Sequence, residues 1–133
     1  MRLSPLCACL GPLVARPDAA QAPDEPLSDG VVRIGLILDM TGTYSYLAGE
    51  ATLTAARMAV EDFGGKVLEH PVELVHADHR SRSDVAAAQA REWFSTGGVD
   101  ALMDVTGSSP ALAVARVAAQ ANRVAIFNSA GAR

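Results

Sequence analysis

Beyond residue 9 the sequence has no cysteine, since both of its cysteines are Cys7 and Cys9. A disulfide framework, a cysteine zinc site and a thiol nucleophile are therefore excluded from the rest of the chain. Basic residues are also few: eleven Lys and Arg against fifteen Asp and Glu give a formal net charge of -4, and the bases are scattered singly along the chain. The one basic cluster, Arg80 and Arg82, falls in a turn, so the patch that phosphate backbones require is absent and nucleic acid is not expected as a partner. Nor does any stretch after residue 22 approach the roughly 18 consecutive apolar residues that a membrane-spanning helix needs. Aromatic residues make up only 5%, and alanine supplies much of the hydrophobic half; that balance fits helices lying close on a sheet.

The 133 residues are enough for one domain with a core, and too few for two. At the N-terminus, Arg2 precedes an apolar stretch from Leu3 to Val14, and Ala20-Gln21-Ala22 has the small-x-small pattern accepted by signal peptidase. Residues 1–22 read as a secretory signal, the alternatives being a disordered leader or a misplaced start. Residues 23–30, polar and bearing two prolines, read as a linker.

After the linker, hydrophobic patterning alternates between two kinds of segment. Val31 to Leu38 is a nearly continuous apolar, β-branched run, as expected of a strand covered on both faces. Asp39 to Tyr46 follows as a polar loop. Leu47 to Phe63 has helical spacing, with Leu53, Ala56, Val60 and Phe63 on the inner face and Glu50, Thr54, Arg57 and Glu61 on the outer, and Gly64-Gly65 ends it. Pro71 to Ala77 reads as a second strand and Asp84 to Ser95 as a second helix, with Ser83 as its N-cap and Gly97-Gly98 as its stop. Ala101 to Val105, Pro110 to Ala121 and Val124 to Phe127 continue as strand, helix and strand; Val114, Val117, Ala118 and Ala121 form the inner face of that helix. Such alternation predicts an α/β fold, a three-layer doubly wound parallel sheet.

In sheets of this kind ligands bind beyond the carboxyl ends of the strands. The loops there, Asp39 to Tyr46, Thr106 to Ser109 and Asn128 to Ala132, are rich in Gly, Ser, Thr and Asn rather than in ionisable groups. Gly107, Ser108 and Ser109 lead into a helix, and free N-H groups with hydroxyls at such a start favour a carboxylate or another anion. Neither a G-x-G-x-x-G nor a G-x-x-x-x-G-K-[ST] motif is present, which removes the main support for redox and kinase readings. Ser108 lacks the G-x-S-x-G surroundings of a hydrolase nucleophile. His76, Asp78 and His79 invite a metal reading, but alternation along a strand turns His79 away from the other two and no further ligand is near in sequence. A strand end whose Asp78 and His79 make local turn hydrogen bonds is the simpler account. Trp93 shares the inner side of its helix with Ala86 and Ala90. Tyr44, at the ligand edge, reads either as a wall of the site or as plain loop packing.

Three segments together resemble the N-terminal lobe of a type I periplasmic solute-binding protein: Val32-Arg-Ile-Gly-Leu-Ile-Leu-Asp-Met-Thr-Gly-Thr-Tyr44, Ala55-Ala-Arg-Met-Ala-Val-Glu-Asp-Phe-Gly-Gly65, and Asp100-Ala-Leu-Met-Asp104 with Ser108-Ser109. More narrowly, the chain is similar to the branched-chain amino acid (leucine-binding-like) group of ABC transporter substrate-binding proteins. The likeness extends from Val31 to Arg133. It implies a non-enzymatic, monomeric, extracytoplasmic binder of an amino acid, amide or aromatic carboxylate, working with a membrane permease and without a cofactor or metal. By position it implies that Ser108 and Ser109 hold the solute carboxylate, that Ala130 and Gly131 add main-chain contacts, and that Tyr44 forms a wall. Many relatives carry a hydroxyl where Ala132 stands here. Against that family the chain ends within the first lobe, so a truncated domain is expected. A ligand-sensing domain of a receptor or regulator is the alternative on the same fold, and an enzyme on a flavodoxin-like sheet has only its fold in favour.

Overall fold

The structure is a computed structural model and describes residues 29–131. The expected leader at 1–22, most of the linker at 23–30, and Ala132 lie outside the described residues. The elements run β1 (Val32–Leu38), α1 (Ser45–Ala48), α2 (Glu50–Phe63), β2 (Lys66–Val67), β3 (His70–Asp78), α3 (Ser83–Ser95), β4 (Ala101–Val105), α4 (Ser108–Gln120) and β5 (Val124–Ala125). They build one five-stranded sheet in the order β2-β3-β1-β4-β5. β3, β1, β4 and β5 are mutually parallel, as expected, whereas β2 joins the edge of β3 antiparallel.

Alternation along β1 sends its side chains to two cores. Leu36 and Leu38 pack with Leu53 of α2 on one face, supported by Met40, Ala56 and Leu74. Ile37 points the other way, into a larger core with Leu102 and Val105 of β4, Ala86, Ala87 and Ala90 of α3, and Ala111, Val114 and Val117 of α4. The three-layer, doubly wound architecture is thus present, though α2 covers only β1 and β3. On that side of β4 and β5, Met103, Val124 and Ile126 stay exposed. Trp93 packs against the α3–α4 core, as its helical position predicts. It does so over Gly35, where an added Cβ would come within 2.7 Å of the indole Cζ3 and 2.8 Å of Leu102 Cδ2. The glycine lets the ring lie directly on the strand.

Several boundaries differ from the sequence expectation. The helix expected from Leu47 is interrupted at Gly49, giving the short α1 and then α2. Gly49 is buried, and a Cβ there would come within 2.6 Å of the Ser45 carbonyl oxygen. Phe63, assigned to the inner face, is 71% exposed, because the partners on the sheet cluster around Leu53 and Ala56 and the helix has passed them by its last residue. Ala121 is exposed because α4 has already ended at Gln120. Ser83 is the first residue of α3, with Arg82 in the cap position and no side-chain cap. β5 is shorter than the expected Val124 to Phe127. β2 was not expected at all: it forms a hairpin with β3, pairing Val67 with His70 across the two-residue turn Leu68-Glu69. Both turn residues have positive φ, 47° and 68°, the backbone of a type I′ turn without the Asn or Gly that normally occupies it. Gly64, at φ 95°, closes α2 as expected.

Candidate functional site

The chain steps from β1 to β3 on one side, and α3 then carries it back across β1 to β4 on the other. The loops leaving the adjacent β1 and β4 therefore part in opposite directions, opening a crevice beyond their carboxyl ends. A cleft of about 370 Å³ lies there, lined by Tyr44, Leu47, Ala48, Thr106, Gly107, Ser108, Ser129 and Gly131. None of these side chains carries a charge at neutral pH. Beside it, a recess of about 230 Å³ shares Tyr44, Thr106, Gly107 and Ser108 and adds His79, Ser81, Ser109 and Pro110.

The polar end of the cleft is the start of α4. Gly107 occupies the cap position with φ 87° and ψ 145°, a backbone conformation essentially confined to glycine. The helix begins at Ser108, two residues earlier than the sequence pattern indicated, so both serines lie in its first turn. Pro110 tolerates the first turn because its missing N-H is one that the helix does not use. Gly107 N-H is taken by the Ser129 carbonyl at 3.2 Å, and Ala111 N-H by the Gly107 carbonyl at 3.0 Å. Among the described residues, the N-H groups of Ser108 and Ser109 have no acceptor. They sit at the positive end of the helix dipole, where Ser108 lines both spaces and Ser109 the recess. Ser108 Oγ accepts the Gly131 N-H at 3.1 Å, which ties the loops after β4 and β5 together and leaves its own O-H free to donate.

Of the residues singled out from the sequence, Tyr44, Ser108 and Gly131 come together in the larger cleft, and Ser109 lines the recess. Tyr44 is half exposed and borders both spaces. Ala130 lines neither space, but packs against the α3–α4 core. Leu47 and Ala48 were not anticipated as lining residues, whereas Thr106 and Ser129 belong to the loops that the sequence pointed to without being named as contacts. Thr106 directly follows β4, and Ser129 lies four residues past the end of β5 in the loop that leaves it.

Three aspartates at the strand ends hold these loops in place; of them the sequence pointed only to Asp78, and only for local turn bonds. Asp39, fully buried, accepts hydrogen bonds from Tyr44 N-H (2.9 Å), Ser81 N-H (3.0 Å) and Ser81 Oγ (2.6 Å). Asp78 accepts from Met40 N-H (3.0 Å), Thr41 Oγ1 (2.5 Å) and Arg80 N-H (2.9 Å). Each carboxylate thus grips the loop that follows the neighbouring strand, so the β1 and β3 loops are clasped reciprocally. Burial pushes both carboxyls up, but the hydrogen bonds outweigh it, those of Ser81 and Tyr44 at Asp39 and those of Thr41, Arg80 and Met40 at Asp78, with nearby His79 also favouring the Asp39 anion. Both remain below the usual carboxylate value. Gly42 is part of the clasp, since a Cβ there would run into the Asp39 carboxylate and the Ser81 hydroxyl. On the other side Asp104, 1% exposed, accepts from Val105 N-H (2.8 Å), Asn128 N-H (3.1 Å), Ser129 N-H (3.2 Å) and Ser129 Oγ (2.5 Å). These acids are therefore structural ties rather than general acids or bases.

Among the described residues, no group of three or more His, Cys, Asp and Glu comes together that could hold a metal. His76 is exposed, Asp78 is engaged in its clasp, and His79 is buried elsewhere. Asp78 makes the local turn bonds expected of it; the His79 ring makes none.

The family described as "Periplasmic binding protein" matches residues 31–133. Among solved structures, a periplasmic binding protein from Burkholderia mallei is similar at 45% identity with a TM-score of 0.74, over 77% of this chain and 28% of that one. A branched chain amino acid ABC transporter periplasmic ligand-binding protein from Burkholderia xenovorans is similar at 42% identity and a TM-score of 0.73, over 76% and 27%. A solute binding protein of an ABC transporter from Rhodopseudomonas palustris, in complex with 3,4-dihydroxy benzoic acid, is similar at 25% identity and a TM-score of 0.72, over 77% and 28%. The chain thus spans little more than a quarter of the length of these relatives. No curated protein sequence matches it.

Proposed function

Because the chain belongs to the periplasmic binding protein family, within the group that serves branched-chain amino acid ABC transporters, we propose that it is part of the extracytoplasmic solute-binding component of an ABC importer. Its solute is an amino acid or a related small carboxylate, delivered to a membrane permease without chemical change. One observation carries this reading. The cleft at the carboxyl ends of β1 and β4 is lined without charged side chains, and at its end two unpartnered amides and a free hydroxyl meet the positive end of α4. Such a set can hold a carboxylate by hydrogen bonds and release it again. Tyr44, Leu47 and Ala48 supply an apolar wall for the rest of the solute. In this assignment Ser108 and Ser109 bind the carboxylate and Gly131 completes the rim, while Ala130 acts through the backbone conformation of the β5 loop. The relatives' own solutes include 3,4-dihydroxybenzoate, which keeps aromatic acids beside aliphatic amino acids as candidates.

The test is an amide-resolved NMR titration with leucine and with benzoate. Both solutes, or one, should move the Ser108 and Ser109 amides, and a Ser108→Ala, Ser109→Ala double variant should weaken binding about tenfold or more. If no carboxylate perturbs those amides at millimolar concentration, the assignment fails. Export is checked separately: in a Gram-negative host the chain should appear in the periplasmic fraction with residues 1–22 removed, and retention in the cytoplasm would favour a ligand-sensing role instead.

A further inference from the structure

The recess beside the main cleft holds a group that the reading above does not use. His79 follows β3, and its backbone is fixed on both sides: its N-H donates to the Leu38 carbonyl at 2.9 Å, and its carbonyl accepts from Arg82 N-H at 2.8 Å. Its residue is 1% exposed, yet neither Nδ1 nor Nε2 has a hydrogen-bond partner. An unpaired buried polar atom costs about 1–3 kcal/mol, and native structures seldom keep two on one ring without a use. The next two residues, Arg80 and Ser81, hold positive φ values of 51° and 56°, so the turn that sets His79 under the recess is itself strained. Two of the other polar side chains nearby are already engaged. Ser81 donates to Asp39, and Thr106 Oγ1 donates to the Ala48 carbonyl at 3.4 Å.

We propose that His79 is a specificity residue for solutes that carry a hydroxyl in addition to their carboxylate, the hydroxyl entering the recess and hydrogen-bonding an imidazole nitrogen as the buried ring turns toward it. The inference rests on the carboxylate assignment at Ser108 and Ser109, which line the same recess. A hydroxyl is the group that fits, for two reasons. It both donates and accepts, so it pairs with a ring nitrogen whether that nitrogen donates or accepts. A second anion would instead approach the ionised Asp39, whose carboxylate lies near the same ring. The recess, at about 230 Å³, has room for a short hydroxylated carbon skeleton, but not for a large polar head group.

Two matched pairs of probes test this: benzoate with 3-hydroxybenzoate, and 4-methylpentanoate with 2-hydroxy-4-methylpentanoate. In at least one pair the wild-type chain should bind the hydroxylated member about three- to tenfold more tightly. His79→Phe, which keeps a flat ring and removes both nitrogens, should abolish that preference without weakening the unhydroxylated member; His79→Gln should keep part of it. Thermal melts establish that each variant is folded. Independently of any variant, the hydroxylated probe should shift the His79 ring nitrogen resonances of the wild-type chain further than its partner does at equal saturation. The same preference in His79→Phe as in wild type, or no preference in either pair, would overturn the assignment and leave the carboxylate reading standing; the latter result would mean that the recess holds water only. Failure of all four probes to move the Ser108 and Ser109 amides would overturn both.

Discussion

Replacing Asp104 by alanine should loosen one side of the cleft more than it loosens the fold. The carboxylate accepts from Asn128 N-H, Ser129 N-H and Ser129 Oγ, all in the loop after β5, and from its own neighbour Val105. The Val105 contact spans one residue and adds little to tertiary stability. Hydrogen bonds to a charged acceptor contribute about 1.5–3 kcal/mol each, but Asn128 is exposed and Ser129 half-buried, so their donors regain water in the variant and about 1 kcal/mol apiece is the better figure. The expected loss is about 3 kcal/mol, a large share of the 5–15 kcal/mol typical of a whole domain. Asp104→Asn, which keeps the shape and lets the Ser129 hydroxyl turn to accept, should lose about 1 kcal/mol. Urea denaturation followed by circular dichroism measures the totals. Hydrogen exchange locates them, with Asn128 and Ser129 amides losing protection about a hundredfold while amides in β1 and β3 change less. A stability within about 0.5 kcal/mol of wild type, or a uniform loss across the sheet, would refute the view of Asp104 as a loop tie.

Asp39 and Asp78 have carboxyls held below the ordinary value of 3.8 in the folded chain. Their stabilisation is therefore complete above about pH 3.8 and is lost as pH falls through the lower folded values; an acid titration of stability should steepen there, and Asp39→Asn should flatten it, an unchanged slope counting against the clasp. In the β2–β3 turn, Leu68→Asn with Glu69→Gly should raise stability by about 1 kcal/mol in chemical denaturation, because both residues occupy a left-handed backbone that Asn and Gly tolerate; a loss would argue against the type I′ geometry. Gly35→Ala should cost about 1–3 kcal/mol and alter Trp93 fluorescence, since the new methyl would meet the indole at 2.7 Å. A neutral substitution with an unchanged emission spectrum would show that Trp93 does not rest on β1.

Local patterns carried much of this architecture. The apolar run ending at Leu38 and the bounds of β4, Ala101 to Val105, could be read residue by residue, and Gly64 marked the end of α2 through its left-handed backbone. The location of the site followed from topology: parallel strands imply loops at their carboxyl ends, where composition drew attention to Ser108 and Ser109 and position to Tyr44, whereas Gly131 came from the family resemblance. What the sequence concealed depends on contacts distant along the chain. Asp39 and Ser81 are 42 residues apart, and Asp104 and Ser129 are 25 apart, so their pairing has no local periodicity. The hairpin at Leu68-Glu69 went unseen because its turn lacks the residues that usually announce one. Phe63 has the right helical spacing for the inner face, but spacing does not reveal where the underlying strands end.

The aspartate clasps also bear on the heat of binding. Tyr44, Ser108 and Gly131 belong to loops tied to the sheet or to one another within the chain, so a solute arriving at this lobe has little backbone to order. The heat-capacity change on docking to it should therefore reflect the small apolar area of the solute and the Tyr44–Leu47 wall, without the large negative term that accompanies coupled folding. Calorimetry over a temperature series would then sort solutes by side-chain chemistry, since the loop contribution is nearly the same for each.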